Sequence, residues 1–159
     1  MNKKVILVGH FGVGKTSLVN QFVHSNFSEA YLTTIGVKID KKSIQVAGFQ
    51  VNLLIWDIAG ETAQNKVPKS YQLGAHGVLY VFDLTRPSTY NNLHEQLNYL
   101  KVLLPSTPIE ILANKKDLVS QEEVDIILNE LGMEIKTTSA KTGEYVEEAF
   151  LRLTKSMIG

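Results

Sequence analysis

The sequence predicts an α/β protein built on a mostly parallel six-stranded sheet, with one antiparallel strand and helices on both faces. Three observations point there. Short β-branched runs such as Val5 to Val8 are continuously apolar, as strands covered on both faces are. Segments with apolar residues at helical spacing separate these runs, the pattern of right-handed parallel crossovers. One pair of strand-like runs is joined by a short turn, so one strand runs antiparallel to its neighbour.

Val5, Ile6, Leu7 and Val8 form the first strand, and a glycine-rich loop ends it. From Lys15 the period changes, with Leu18, Val19, Phe22 and Val23 on one face of a helix. Val37 to Val46 and Gln50 to Asp57 read as a hairpin joined by Ala47, Gly48 and Phe49. Its alternation slips between Ile39 and Ile44, which predicts a bend or bulge. Val78 to Asp83 and Ile109 to Asn114 are two more buried strands, separated by a helix from about Ser88 to Leu103, with Pro105 and Pro108 punctuating the join. Gln121 to Leu131 carries Val124, Ile127, Leu128 and Leu131 at helical spacing and stops at Gly132. A short strand near Ile135 to Thr138 precedes a last helix through Val146, Ala149, Phe150 and Leu153. No repeat or flexible linker divides the chain, so residues 1–159 are expected to form one domain.

Composition narrows the function by exclusion. Apolar residues at 44% and charged residues at 20% are those of an ordinary folded domain. Sixteen basic residues balance sixteen acidic ones, so no global field draws the chain onto nucleic acid, and no nucleic-acid partner is expected. The absence of cysteine excludes disulfides, thiolate metal sites and cysteine nucleophiles. No signal peptide is visible and no apolar run approaches the roughly 20 residues that span a bilayer, so a cytoplasmic location is expected.

The chemistry sits where the strands end. Gly9-His10-Phe11-Gly12-Val13-Gly14-Lys15-Thr16 matches the phosphate-loop pattern G-x-x-x-x-G-K-[ST] and lies between a strand and a helix, the context that such a loop requires. Glycines let the backbone curl so that the N–H groups of Gly12, Val13, Gly14, Lys15, Thr16 and Ser17 converge on phosphate oxygens. Lys15 adds charge near the β and γ phosphates, and the Thr16 hydroxyl can ligate Mg²⁺. These features make the fold that of a P-loop NTPase.

Asn114-Lys115-Lys116-Asp117-Leu118 closes another strand, and an aspartate there can accept two hydrogen bonds from the ring N–H and amino group of guanine. Adenine lacks that pair of donors, and a carboxylate left unpaired in a buried site is costly. Ser139-Ala140-Lys141 would bring a backbone N–H to the purine carbonyl. Asp57-Ile58-Ala59-Gly60 ends the hairpin, where a carboxylate can hold the magnesium shell and the Gly60 N–H can approach a γ-phosphate. An ordinary helix cap at Asp57 and a solvated loop at Asn114 to Asp117 are the plain alternatives.

These four motifs, in this order and spacing, resemble the Ras superfamily of small GTPases over nearly the whole chain. Within it, Thr33-Thr34-Ile35-Gly36-Val37, Trp56-Asp57, and Tyr71 with Gly74-Ala75 are most similar to the Rab branch. The resemblance implies the G-domain fold, GTP and GDP as substrate and product, and Mg²⁺ held by Thr16, Thr34 and Asp57. It also implies that Phe27 packs on the guanine, and that Lys15, Thr34, Gly60 and residue 61 act in hydrolysis. Residues 28–40 and 58–75 would be the switches that exchange factors, GTPase-activating proteins and effectors read.

The chain also departs from that family. Glu61 stands where most members have a water-orienting glutamine; an ionised carboxylate accepts hydrogen bonds but donates none, which predicts slow intrinsic hydrolysis unless Glu61 acts as a general base. Phe11 occupies a loop position that is often small, where bulk would obstruct an activator's arginine or turn outward instead. Ala63 and Gln64 replace the arginine and aromatic common in Rab-like switches. His10, His24, His76 and His94 show no metal-binding spacing. No lipidation cysteine is visible before Gly159, so the expectation is either a protein without a lipid anchor or one at membrane surfaces through a further tail. Beside the GTPase reading stands a nucleotide-holding scaffold with little turnover. An ATP-using kinase is disfavoured by Asn114 to Asp117.

Overall fold

The structure is a computed structural model that describes residues 1–27, 36–60 and 68–159. Six strands form one sheet in the order β2-β3-β1-β4-β5-β6. In chain order these are β1 (Asn2–Val8), β2 (Val37–Val46), β3 (Phe49–Ile58), β4 (Gly77–Asp83), β5 (Ile109–Asn114) and β6 (Lys136–Thr137). Only the β2–β3 pair is antiparallel; β1 pairs in parallel with both β3 and β4, and β5 with β4 and β6. The helices are α1 (Lys15–His24), α2 (Leu93–Leu103), α3 (Gln121–Leu131) and α4 (Val146–Ile158).

Two apolar layers enclose the sheet, because alternate residues of each strand face opposite sides. Val5, Leu7, Leu53, Ile55, Leu79 and Val81 pack against Leu18, Phe22, Phe150 and Leu153 of α1 and α4. Ile6, Val78, Tyr80 and Phe82 pack against Leu93, Leu97, Leu100 and Val124 of α2 and α3. Every residue of β4 is buried, which is why its sequence is apolar up to the acidic Asp83 that closes it. On the first face the rings of Phe22 and Phe150 stack with centroids 4.0 Å apart.

Three expectations change. The hairpin carries no bulge: pairing runs one to one from Val37↔Ile58 to Val46↔Phe49. The sequence pattern slips because β2 is an edge strand whose inward position 42 is filled by a lysine. Its ammonium donates to the Phe22 carbonyl and lies 4.1 Å from the Phe22 ring centroid, so a polar residue occupies an inner face without an unsatisfied charge. The turn is two residues rather than three, with Ala47 and Gly48 both at positive φ (51° and 82°), the tight form that matches strand twist. The helix expected from Ser88 begins at Leu93, after a short 3₁₀ turn over Pro87–Thr89. The buried Thr89 hydroxyl accepts from the Asp83 N–H (2.9 Å) and donates to the Arg86 carbonyl (2.8 Å), tying this segment to the end of β4 instead of letting it coil.

Helix α3 is bounded as its sequence implies. Ser120 accepts from the Glu123 N–H at its start, and Gly132 adopts the left-handed conformation at its end. The carboxyl ends of β1, β3, β4, β5 and β6 therefore deliver the loops that carry all four motifs to one edge of the sheet.

Candidate functional site

The loop after β1 turns into α1 through Gly14, whose φ of 102° and whose contact with Asn114 both demand glycine: a Cβ there would stand 2.3 Å from Asn114 Nδ2. The side chain of Val13 is buried in the core, so only its backbone faces the site. Gly12 and Ser17 are half-buried on either side of it.

Five consecutive carbonyls of this loop each accept a hydrogen bond from a side chain. Lys15 Nζ donates to Gly9 O and His10 O, both at 3.2 Å. Arg86 Nη2 donates to Phe11 O at 2.9 Å, Lys115 Nζ to Gly12 O at 3.2 Å, and Asn114 Nδ2 to Val13 O at 3.0 Å. With its carbonyls engaged by side chains, the loop is held in a curl whose N–H groups could face an anion, the electrostatics of a phosphate nest. Three of the four donors are cations.

Lys15 is 6% exposed, and burial pushes its ammonium down to about 8, opposed by nearby Asp57 and reinforced by Arg86. Thr16 Oγ1 donates to Asp57 Oδ2 at 2.5 Å, and Asp57 is buried at the end of β3. A hydroxyl beside a single carboxylate is a hard-oxygen pair, and Mg²⁺ takes one or two carboxylates plus phosphate and water. The described residues contain no cluster of three or more His, Cys, Asp or Glu suited to a metal, so among them it is this pair that could hold an ion. Gly60 is buried with its backbone against the loop: a Cβ would come 2.4 Å from Phe11 N. Thr34 and Glu61 lie outside the described residues.

The other half of the site is a second knot. Asn114 is 1% exposed, and its Oδ1 accepts from Thr138 Oγ1 (3.1 Å) and Ala140 N (3.3 Å) while its amide holds the phosphate loop. Lys115, at a positive φ of 69°, bends the chain there and reaches Asp83 Oδ2 at 2.9 Å. Asp117 is exposed, and its carboxylate accepts from Ser139 Oγ at 2.8 Å. The Ser139 hydroxyl also accepts from the Thr142 N–H at 3.1 Å, which tightens the turn around Ala140 and Lys141. Leu118 is 62% exposed beside Asp117, and Phe27 is partly buried against the α1 and α4 core.

A model of the Ras family matches residues 4–159. This chain belongs to the Ras family. It is 37% identical to the Ras-related protein Rab-4B of Homo sapiens over 98% of its length and 76% of that relative. It is 38% identical to Rab-4A of Mus musculus over 98% of this chain and 74% of that one. To RABD2b of Arabidopsis thaliana it is 34% identical, over 97% and 79%. The protein is thus a Rab-like small GTPase on a six-stranded G-domain sheet. No described helix is long and apolar enough to cross a membrane.

Sequence reasoning missed Asp83, Arg86 and Thr89 in this small GTPase. Asp83 is fully buried at the end of β4, accepts from Thr85 N (2.8 Å) and Thr85 Oγ1 (2.6 Å), and faces Lys115 and Arg86. The available signal was an acidic residue closing an otherwise apolar strand, since a buried carboxylate needs partners. His10 is the other motif residue with a side-chain partner of note, its Nε2 3.0 Å from Asn92 Oδ1.

Proposed function

We propose that this chain binds GTP or GDP with Mg²⁺ on the Gly9–Thr16 loop and hydrolyses GTP to GDP and phosphate, acting as a signalling or trafficking switch. The observation that carries the reading is the run of five carbonyls from Gly9 to Val13 that side chains hold, three of the donors cationic. Lys15 supplies the charge for the β and γ phosphates, and burial strengthens that interaction because little water screens it. Thr16 and Asp57 would hold Mg²⁺, which supplies charge neutralisation on the phosphates. Asp117 and the turn from Ser139 to Lys141 would read the guanine edge, with Phe27 against the ring. In the reaction a water oxygen bonds the γ-phosphorus as the bond to the β–γ bridging oxygen breaks, and the negative charge stays within reach of Lys15 and the loop amides.

Glu61 in place of glutamine sets the rate in this reading. An acceptor-only side chain cannot donate to a phosphate oxygen while it orients water, so intrinsic turnover is slow. Effectors would dock where Ile39 and Leu73, each about half exposed, flank the Trp56 and Tyr71 rings, whose centroids are 6.3 Å apart. Exchange factors and activators would meet residues 28–40 and 58–75.

Nucleotide analysis of the purified protein followed by multiple-turnover phosphate release with GTP and ATP tests the reading. Bound guanine nucleotide and GTP-selective release of phosphate support it. Tight nucleotide without turnover would leave the scaffold function in its place, and equal use of ATP would refute the guanine assignment. Single-turnover rates for Glu61→Gln address the slow step; a rate equal to or below wild type contradicts the handicap assigned to Glu61.

A further inference from the structure

Of the four side chains that hold the phosphate-loop carbonyls, three come from the two motifs themselves: Lys15 from the loop, Asn114 and Lys115 from the segment after β5. The fourth, Arg86, belongs to neither. It follows β4 and donates from Nη2 to the Phe11 carbonyl at 2.9 Å, while Nη1 lies 3.7 Å from the fully buried Asp83 carboxylate. Its backbone is held from both directions. The Arg86 N–H donates to Asp83 O (3.0 Å), the Arg86 carbonyl accepts from Thr89 N (2.9 Å), and Pro87 restricts the next residue. The guanidinium is thus placed by a rigid turn and fixed at two points, an arrangement its planar fork favours over a lysine's single ammonium.

The residue it grips meets the other motif expected to face the terminal phosphate. Phe11 is in backbone contact with Gly60, the residue that ends the Asp57–Gly60 motif, and Asp57 in turn meets Thr16. The guanidinium therefore adds positive charge at the edge of the loop that adjoins Gly60, and its attraction for an anion there grows with the anion's charge.

Resting on the nucleotide reading above, we propose that Arg86 is a positioning residue for the terminal phosphate: anchored on Asp83, it holds the Phe11 carbonyl, adds positive charge at that edge, and biases the site toward triphosphate over diphosphate. The cation is supplied by the chain itself, not by a partner. Because the Arg86 side chain is 42% exposed, solvent and salt screen it, and the bias is modest.

Equilibrium affinities for GDP and for a non-hydrolysable GTP analogue, with Mg²⁺, in wild type, Arg86→Ala, Arg86→Gln and Arg86→Lys provide the test. The ratio of triphosphate to diphosphate affinity is expected to fall about two- to fivefold in Arg86→Ala, with GDP binding reporting that the variant is folded. Arg86→Gln, which keeps an N–H donor for the Phe11 carbonyl but no charge, is expected to lose most of the ratio, and Arg86→Lys to keep most of it. An unchanged ratio in Arg86→Ala and Arg86→Gln, an equal loss for both nucleotides, or a loss in Arg86→Lys as large as in Arg86→Ala overturns the inference. Wild type that binds neither nucleotide overturns the nucleotide reading instead.

Discussion

Replacing Asn114 by alanine separates scaffold from ligand reader within the Asn114–Asp117 motif. The Asn114 side chain is 1% exposed and makes three hydrogen bonds, to Val13 O (3.0 Å), Thr138 Oγ1 (3.1 Å) and Ala140 N (3.3 Å). Truncation leaves a buried carbonyl, a buried amide and the buried Thr138 hydroxyl without these bonds, and each group left unsatisfied costs about 1–3 kcal/mol. Partial relaxation and some water entry reduce the sum, so a loss of about 2–4 kcal/mol is expected, a large share of the roughly 5–15 kcal/mol that holds a domain folded. Asp117, by contrast, is exposed and among the described residues its carboxylate bonds Ser139 Oγ, so Asp117→Asn is expected to cost under about 1 kcal/mol while guanine affinity collapses. Urea unfolding of the nucleotide-free proteins reads the first quantity, and competition between GTP and ATP reads the second. If Asn114→Ala unfolds at the wild-type midpoint, or Asp117→Asn destabilises as strongly as Asn114→Ala, this division of labour is wrong.

Three further predictions follow from single observations. With its ammonium pushed down to about 8, Lys15 is charged below that pH; nucleotide affinity is therefore expected to be full below pH 8 and to weaken as pH rises through it. Above pH 8 binding should take up a proton, read by calorimetry in buffers of different ionisation enthalpy, and zero uptake at pH 9 contradicts the assignment. In the nucleotide-free protein the sign is opposite: between about 8 and 10.5 the unfolded chain holds more protons than the folded one, so stability gains from Lys15 as pH rises through that window. Gly14→Ala places a Cβ 2.3 Å from Asn114 Nδ2 at a φ of 102°, and is expected to cost at least about 2 kcal/mol in a urea titration and to weaken nucleotide binding. Phe150→Ala removes the ring stacked 4.0 Å from Phe22 and should cost about 3–5 kcal/mol while leaving the GTP-to-GDP preference unchanged, since it touches the core and not the loop.

Helix and strand order was legible because burial on two faces writes itself into local periodicity. The buried β4 is apolar from Val78 to Phe82, and α3 is delimited by Ser120 and Gly132 within its own sequence. Legibility failed where a side chain answers to a distant partner. Lys42 breaks the alternation of β2 because the Phe22 ring and carbonyl await it 20 residues away in sequence, and Thr89 delays α2 because the end of β4 claims its hydroxyl.

The same contrast runs through the site. The sequence alone determined which loop carries the phosphate-binding pattern, since glycines at 9, 12 and 14 with Lys15 and Thr16 state a local backbone requirement. It also placed that loop at the carboxyl end of the first strand. Only the tertiary structure decided who holds the loop in shape, because the donors to Phe11, Gly12 and Val13 arrive from residues 86, 115 and 114, at or just beyond the ends of strands adjacent in space but distant in sequence. A hydrogen bond across such separations leaves no periodic trace. Asn114 reaches Val13, and Arg86 joins the loop at all, because β1, β4 and β5 lie side by side.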